Sequence, residues 1–195
     1  MRFRVARQGQ QERPGFSLIE MMIVMTLLAI LATMAIPKSR TSRYRADAAA
    51  LLARTLLQQA QRNAITRQSN VIISIDTTYS RIRIVEDNNS NDTLDVTDRV
   101  SFRRLEEGAR FATPPMGRVG GGAATAPILG SALRTVSGLP GVIFRRDGSA
   151  STDLELYVTM RLGVADEYRA LLVAPATGRV DIYKWTGTTW ARSTQ

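Results

Sequence analysis

An apolar run from Phe16 to Ile36 constrains this chain more than any other stretch: 21 residues containing one ionisable side chain, Glu20. At a rise of ~1.5 Å per residue, a helix of that length is roughly 30 Å long, matching a bilayer's hydrocarbon core. A basic leader precedes it, Met1 to Gly15, carrying Arg2, Arg4, Arg7 and Arg13 against one acid, Glu12; Pro37 closes it. A carboxylate inside hydrocarbon costs about 2.5–3.5 kcal/mol at a helix centre and less near the interface, so Glu20 marks either a function or a snorkelling side chain.

Three readings compete for the run. A secretory signal has a shorter apolar core followed by a small-residue cleavage site, which is absent here. A plain signal anchor fits the length but leaves Glu20 unexplained. The third reading places a cut ahead of the run, between Gly15 and Phe16. Pro14-Gly15, Phe16-Ser17-Leu18-Ile19-Glu20-Met21-Met22 and Pro37, twenty-second after the cut, together resemble a class III signal of the type IV pilin and pseudopilin superfamily. The resemblance implies cleavage by a prepilin peptidase after Gly15 and N-methylation of Phe16. It also implies that Glu20 pairs with a neighbouring subunit's α-amine during filament assembly. The charge pattern does not orient the anchor, because Lys38, Arg40, Arg43 and Arg45 match the leader's four arginines in number. The resemblance implies a single pass through a bacterial inner membrane, with the C-terminal domain in the periplasm or an extracellular filament.

Past Pro37 the period stays helical. Ala46, Ala49, Ala50, Ala53, Leu56, Leu57, Ala60 and Ala64 recur at steps of three and four, with Arg54, Gln58, Gln61 and Arg62 between them. Residues 37–66 are therefore predicted to continue the helix as an amphipathic segment, kinked at Pro37, whose stripe lies on a sheet. From Asn70 the period changes to two, and 70–195 reads as a β-rich domain. Val71, Ile73 and Ile75 alternate, Asp76 to Ser80 turn, and Ile82 and Ile84 alternate again, predicting a hairpin. Further strands are predicted at Val100–Leu105, Val142–Phe144, Leu154–Met160, Tyr168–Ala174 and Arg179–Trp185. Leu154, Leu156, Val158 and Met160 against Glu155, Tyr157 and Thr159 read as a half-buried strand. Residues 113–141, rich in Gly, Ala and Pro, read as a long loop or insertion.

The fold class that follows is α+β: a long N-terminal helix, transmembrane in its first half, packed on antiparallel β-sheets. Val142-Ile143-Phe144, Asp147-Gly148, the Leu154 strand and Ala176-Thr177-Gly178-Arg179-Val180 are similar to the GspH/FimT family of minor pseudopilins and minor pilins, whose members imply the same architecture.

Composition narrows the chemistry. The chain has no histidine and no cysteine, which removes the commonest general base, the commonest zinc ligand and any disulfide. No nucleophile elbow, phosphate-binding loop or zinc spacing occurs, and Gly117-x-x-Gly120-Gly121-Gly122 follows Pro114-Pro115 rather than a strand. An enzyme is therefore not expected. The net charge is +9, and removing the leader's four Arg and one Glu from the 26 basic and 17 acidic side chains leaves +6.

Two stretches invite a ligand. Asp87, Asn89, Asn91, Asp95 and Asp98 occupy positions one, three, five, nine and twelve of a calcium-type loop, with the Thr93 carbonyl at seven. Asp92 replaces the turn glycine, Asp98 is shorter than the usual Glu, and flanking strands replace flanking helices. An Asx-rich hairpin loop bonded to its own backbone is the alternative. Thr177-Gly178-Arg179-Val180 resembles the start of a Gly-Arg-x-Arg element through which some DNA-uptake minor pilins contact DNA; here Asp181 takes the second basic position and would repel phosphate. Arg145, Arg146, Lys184 and Arg192 could add a basic face, or be solvated strand-edge charges.

The reading that results is a minor pilin or pseudopilin of a type IV pilus or type II secretion pseudopilus, in tip formation or assembly initiation. Its partners would be the prepilin peptidase, other pilins or pseudopilins and the inner membrane. The alternatives are a DNA-binding minor pilin for DNA uptake and a membrane-anchored protein outside any filament.

Overall fold

The computed structural model describes residues 17–35, 37–106 and 108–193. The chain divides into two compact units, Met1–Ser39 and Arg40–Gln195.

In the first unit, α1 (Leu18–Ala35) is an 18-residue helix. It is apolar all round, as expected of a helix meant for a membrane or a packed assembly. Leu18, Ile19, Met22, Met25, Leu28 and Leu31 are all more than half exposed. Eighteen residues measure roughly 27 Å along a helix, short of a ~30 Å hydrocarbon core. Among the described residues no helix is long and apolar enough to cross a membrane. The 21-residue span expected from the sequence includes Phe16 and Ile36, which lie outside the described residues.

The second helix, α2 (Pro37–Arg67), opens with proline at its first position, where the missing N–H costs no helical bond. It ends as Gln68 turns to φ +55°, with the Gln68 amide Nε2 donating to the Ile65 carbonyl at 2.7 Å.

All eight residues of the predicted Ala/Leu stripe are buried to 5% exposure or less. They join one continuous core with Val71, Ile73, Ile75, Ile82, Val142 and Phe144 from one sheet and with Leu154, Leu156, Val158, Leu171 and Val180 from another. Six of the eight are alanines, and in a close-packed core a larger side chain at such a position has to displace its neighbours.

Both sheets are antiparallel. The first contains β1 (Asn70–Asp76), β2 (Arg81–Asp87), β3 (Arg99–Arg104), β6 (Arg134–Val136) and β7 (Leu139–Phe144), in the order β3-β2-β1-β7-β6. The second runs β11-β10-β9-β8-β4, from β4 (Arg110–Phe111), β8 (Leu154–Thr159), β9 (Arg169–Val173), β10 (Val180–Trp185) and β11 (Trp190–Arg192). A further two-residue strand, β5 (Ile128–Leu129), also pairs with β8.

Two expectations are corrected. The 113–141 stretch is not one long loop, because it contains β5, β6 and the start of β7. Its glycines and prolines interrupt any periodicity, so pairings only two or three residues long leave no pattern to read. The β8 strand is not half-buried: all six of its residues, including Glu155, Tyr157 and Thr159, are buried. The segment before β5 lies over what would otherwise be its solvent face.

Candidate functional site

Glu20, the single ionisable residue of α1, lies in that helix's first turn and is exposed. The positive end of the helix dipole favours a carboxylate there. Gly15 and Phe16, the expected cleavage pair, lie outside the described residues.

The Asx loop after β2 is organised around its own backbone. Asp87 is buried at the end of β2; its Oδ2 accepts the Asp92 N–H at 2.8 Å and its Oδ1 the Asn91 N–H at 3.3 Å. Asp98 accepts from the Asp95 N–H at 2.8 Å and the Asn88 N–H at 3.2 Å. Asn89 and Asn91 both donate side-chain amides to Asp95, at 2.9 and 2.7 Å. Those two amides hold the Asp95 carboxyl below the usual carboxylate range. Asp87, Asp95 and Asp98 thus each serve a different set of donors. Among the described residues, no group of three Asp, Glu, His or Cys could hold a metal ion. This is the geometry of an Asx-rich loop whose carboxylates accept the loop's own backbone N–H groups.

Arg179 sits at the Gly178 turn ahead of β10 and is exposed; its guanidinium meets Asp181 Oδ2 at 2.9 Å. Arg192 of β11 reaches Asp181 Oδ1 at 2.5 Å. Asp181 therefore occupies both cations, where the sequence suggested only an interruption between basic positions. Arg145, named with them, lies 3.6 Å from Asp92 instead.

A buried polar cluster on β8 escaped the sequence. The Tyr157 hydroxyl donates to Glu155 Oε1, which also accepts the Val119 N–H at 2.8 Å. Arg118 Nη2 lies 3.0 Å from Glu155 Oε2. Burial, and then the bond to the Glu155 carboxylate, push the Tyr157 hydroxyl far above its ordinary pKa, so it remains a donor. Trp190 Nε1 donates to the Gly117 carbonyl at 3.2 Å, with its ring 5.7 Å from that of Tyr157. Residues 117–119 are thus strapped onto the outer face of the second sheet. An alternating Leu-Glu-Leu-Tyr-Val-Thr pattern looks the same whether the polar face meets water or a strap.

At the start of α2, Ser42 donates to the buried Glu167 at 2.6 Å, and Arg161 Nε donates to the same Oε1 at 2.9 Å. Arg43 pairs with Asp166 at 2.6 Å, and the buried Arg169 donates to Asp47 at 2.5 Å. These contacts fix α2 to the 3-10 turn Ala165–Glu167.

Residues 13–36 match the family model of the prokaryotic N-terminal methylation motif. The resemblance drawn from Pro14 through Met22 is borne out there as a methylation motif, and Pro37 lies just past the matched residues. Two solved structures of the minor pseudopilin EpsH from the type II secretion system of Vibrio cholerae are similar to this chain. One is 12% identical, covering 72% of this chain and 97% of its own, with a TM-score of 0.48. The other is 14% identical, covering 77% and 98%, with a TM-score of 0.49. No curated protein matches the chain significantly.

Proposed function

We propose that this chain is a minor pilin or pseudopilin, cleaved between Gly15 and Phe16, N-methylated on Phe16 and built into a type IV pilus or type II secretion pseudopilus. The observation that carries this reading is the methylation motif over residues 13–36, placed ahead of an α+β domain. The exposed apolar surface of α1 supports it, because a helix apolar on every side needs lipid or packed neighbours around it. In this reading residues 16–36 first anchor the chain in the inner membrane with the C-terminal domain outside the cytoplasm, and then pack in the filament core. Its role is in tip formation or assembly initiation.

Glu20 has a defined part. After cleavage a neighbouring subunit's α-amine would approach it in an apolar setting, and each charge would compensate the other. Removing one member of such a pair typically costs about 3–5 kcal/mol, since the other is left uncompensated.

N-terminal sequencing of the membrane-extracted protein tests the processing: a chain beginning at Phe16 is expected. Met1 retained in cells that contain the peptidase would leave a membrane-anchored protein outside any filament. Glu20→Ala tests assembly separately. It should be cleaved normally yet bind its partner subunits roughly two to three and a half orders of magnitude less well in a pull-down. Normal cleavage with normal co-assembly would remove the assigned role of Glu20.

A further inference from the structure

The first sheet ends at β3, which pairs with β2 on one edge and has no strand on the other among the described residues. The Leu105 N–H donates to the Ser80 carbonyl at 3.0 Å, continuing the register in which Arg103 faces Ile82 and Ser101 faces Ile84. In an antiparallel ladder these positions alternate between bonding the neighbour and facing away. The backbone groups of Val100, Phe102 and Arg104 therefore point outward from the sheet. Proteins usually shield such an edge with proline, a bulge, extreme shortness or charged side chains, and β3 carries the last of these in Arg99, Arg103 and Arg104. β3 has six residues and no proline, and all but Ser101 are exposed.

The two faces of this edge differ in chemistry. On the α2 side, Arg99 and Arg103 border an open groove of about 270 Å³, shared with Asn63 and Arg67 of α2 and Glu86 of β2. Glu86 is ion-paired with Arg67, and among the described residues neither Arg99 nor Arg103 has a carboxylate within ion-pair distance. On the opposite face, Val100 and Phe102 are 40% and 44% exposed. Arg81 stacks between Phe102 and Tyr79, with its guanidinium 4.3 and 4.7 Å from the ring centres.

An added strand would alternate its side chains between those faces. One set would stand beside Arg99 and Arg103, the other beside Val100 and Phe102, and opposite charges directly across a ladder stabilise while like charges destabilise. A second copy of β3 is thereby disfavoured, because arginine would meet arginine. A stacked nucleic-acid base is also a poorer fit, because Arg81 already covers both rings. We propose that β3 accepts an extended segment of a partner protein, in which acidic residues alternate with apolar ones, as an additional strand of the first sheet.

The test uses the full-length protein in detergent and an end-capped eight-residue peptide alternating glutamate with valine. Hydrogen exchange at the amides of Val100, Phe102 and Arg104 should slow by about tenfold or more at saturation, because a new ladder bond protects each outward N–H. Binding should weaken steeply with salt. Arg99→Gln combined with Arg103→Gln, both at exposed positions, should lose binding by about tenfold or more while the thermal melt stays close to wild type. Val100→Pro, which removes one outward donor at an edge that tolerates proline, should weaken it independently. Unchanged exchange at those three amides in millimolar peptide would overturn the proposal. So would equal binding of the lysine-for-glutamate peptide, or protection of the same residues by a single-stranded oligonucleotide alone.

Discussion

The side-chain amide of Gln61 donates from Nε2 to the carbonyl of Gly148 at 2.7 Å. The same nitrogen donates to the Thr177 carbonyl, also at 2.7 Å. One α2 side chain thus bridges the Asp147-Gly148 and Thr177-Gly178 turns, the two motifs that suggested a narrower family likeness in the sequence. Gly178 is confined there: its φ is +60°, and a Cβ would stand 2.4 Å from the Gly148 oxygen and 2.4 Å from Gln61 Nε2. The structural reason for these two glycine turns is therefore docking of α2.

Gln61→Ala is expected to destabilise the domain by about 1–2 kcal/mol, since two turn carbonyls lose a donor in a partly buried place. Gly178→Ala should cost more, because a left-handed backbone and a clash with backbone oxygen are added to the same loss. For a domain of this size each kcal/mol lowers Tm by roughly 2–4 °C, so thermal melts separate the two variants. A smaller effect for Gly178→Ala than for Gln61→Ala would show that the turns yield easily.

The helix stripe was legible because Ala46 to Ala64 repeat at helical steps and that face of the helix is buried from the first to the last of them. The β1–β2 hairpin was legible for the matching reason at period two. Glu155 and Tyr157 were not, since the strap that buries them comes from a stretch without periodicity, and its key contacts are a backbone N–H and one arginine. From the sequence Asp181 reads only as a charge that repels phosphate; its pairing with Arg192 depends on β10 and β11 being neighbours, which the spacing alone does not disclose. The calcium-like spacing of Asp87 to Asp98 was legible as a pattern, yet the same Asp and Asn residues satisfy a tight loop by bonding their own backbone.

Glu155→Ala should release the strap. The Val119 N–H and the Tyr157 hydroxyl would lose their acceptor, and Arg118 its counter-charge. Limited trypsin digestion is expected to cut after Arg118 about tenfold faster or more than in the wild type, because local opening controls access. Trp190→Phe, which removes only the bond to Gly117, should accelerate the cut less. Equal rates in all three proteins would place the holding force elsewhere.

Stability should fall in acid partly through Glu167. Burial acts to raise its carboxyl pKa, but the bonds from Arg161 and Ser42 outweigh it and hold the group below the ordinary glutamate range. A carboxyl lowered by folding contributes stability that is fully present above the unfolded value and is lost as pH falls through the folded one. The Tm gap between wild type and Glu167→Gln should therefore be widest near neutral pH and narrow below about pH 4.5. A gap that stays constant from pH 7 to pH 3 would mean that the Glu167 charge contributes nothing to folding.

DNA binding by the wild-type chain is expected to be weak, salt-sensitive and without sequence preference, because Asp181 holds Arg179 and Arg192 in ion pairs. Breaking those pairs to meet phosphate would leave a carboxylate beside the DNA backbone. Arg179→Ala alone should then change affinity for a duplex by less than about twofold, since a phosphate contact contributes only if its counterion is released. Asp181→Asn keeps the side-chain shape and removes the charge, freeing both guanidiniums. Its affinity at low salt should rise, and the slope of log affinity against log salt should steepen by about 0.9 for each arginine that engages a phosphate. Fluorescence anisotropy with one duplex at several salt concentrations measures both quantities. Tight wild-type binding at physiological salt, abolished by Arg179→Ala, would show that Arg179 reaches DNA in spite of Asp181, and would move the chain from the assembly reading towards DNA uptake.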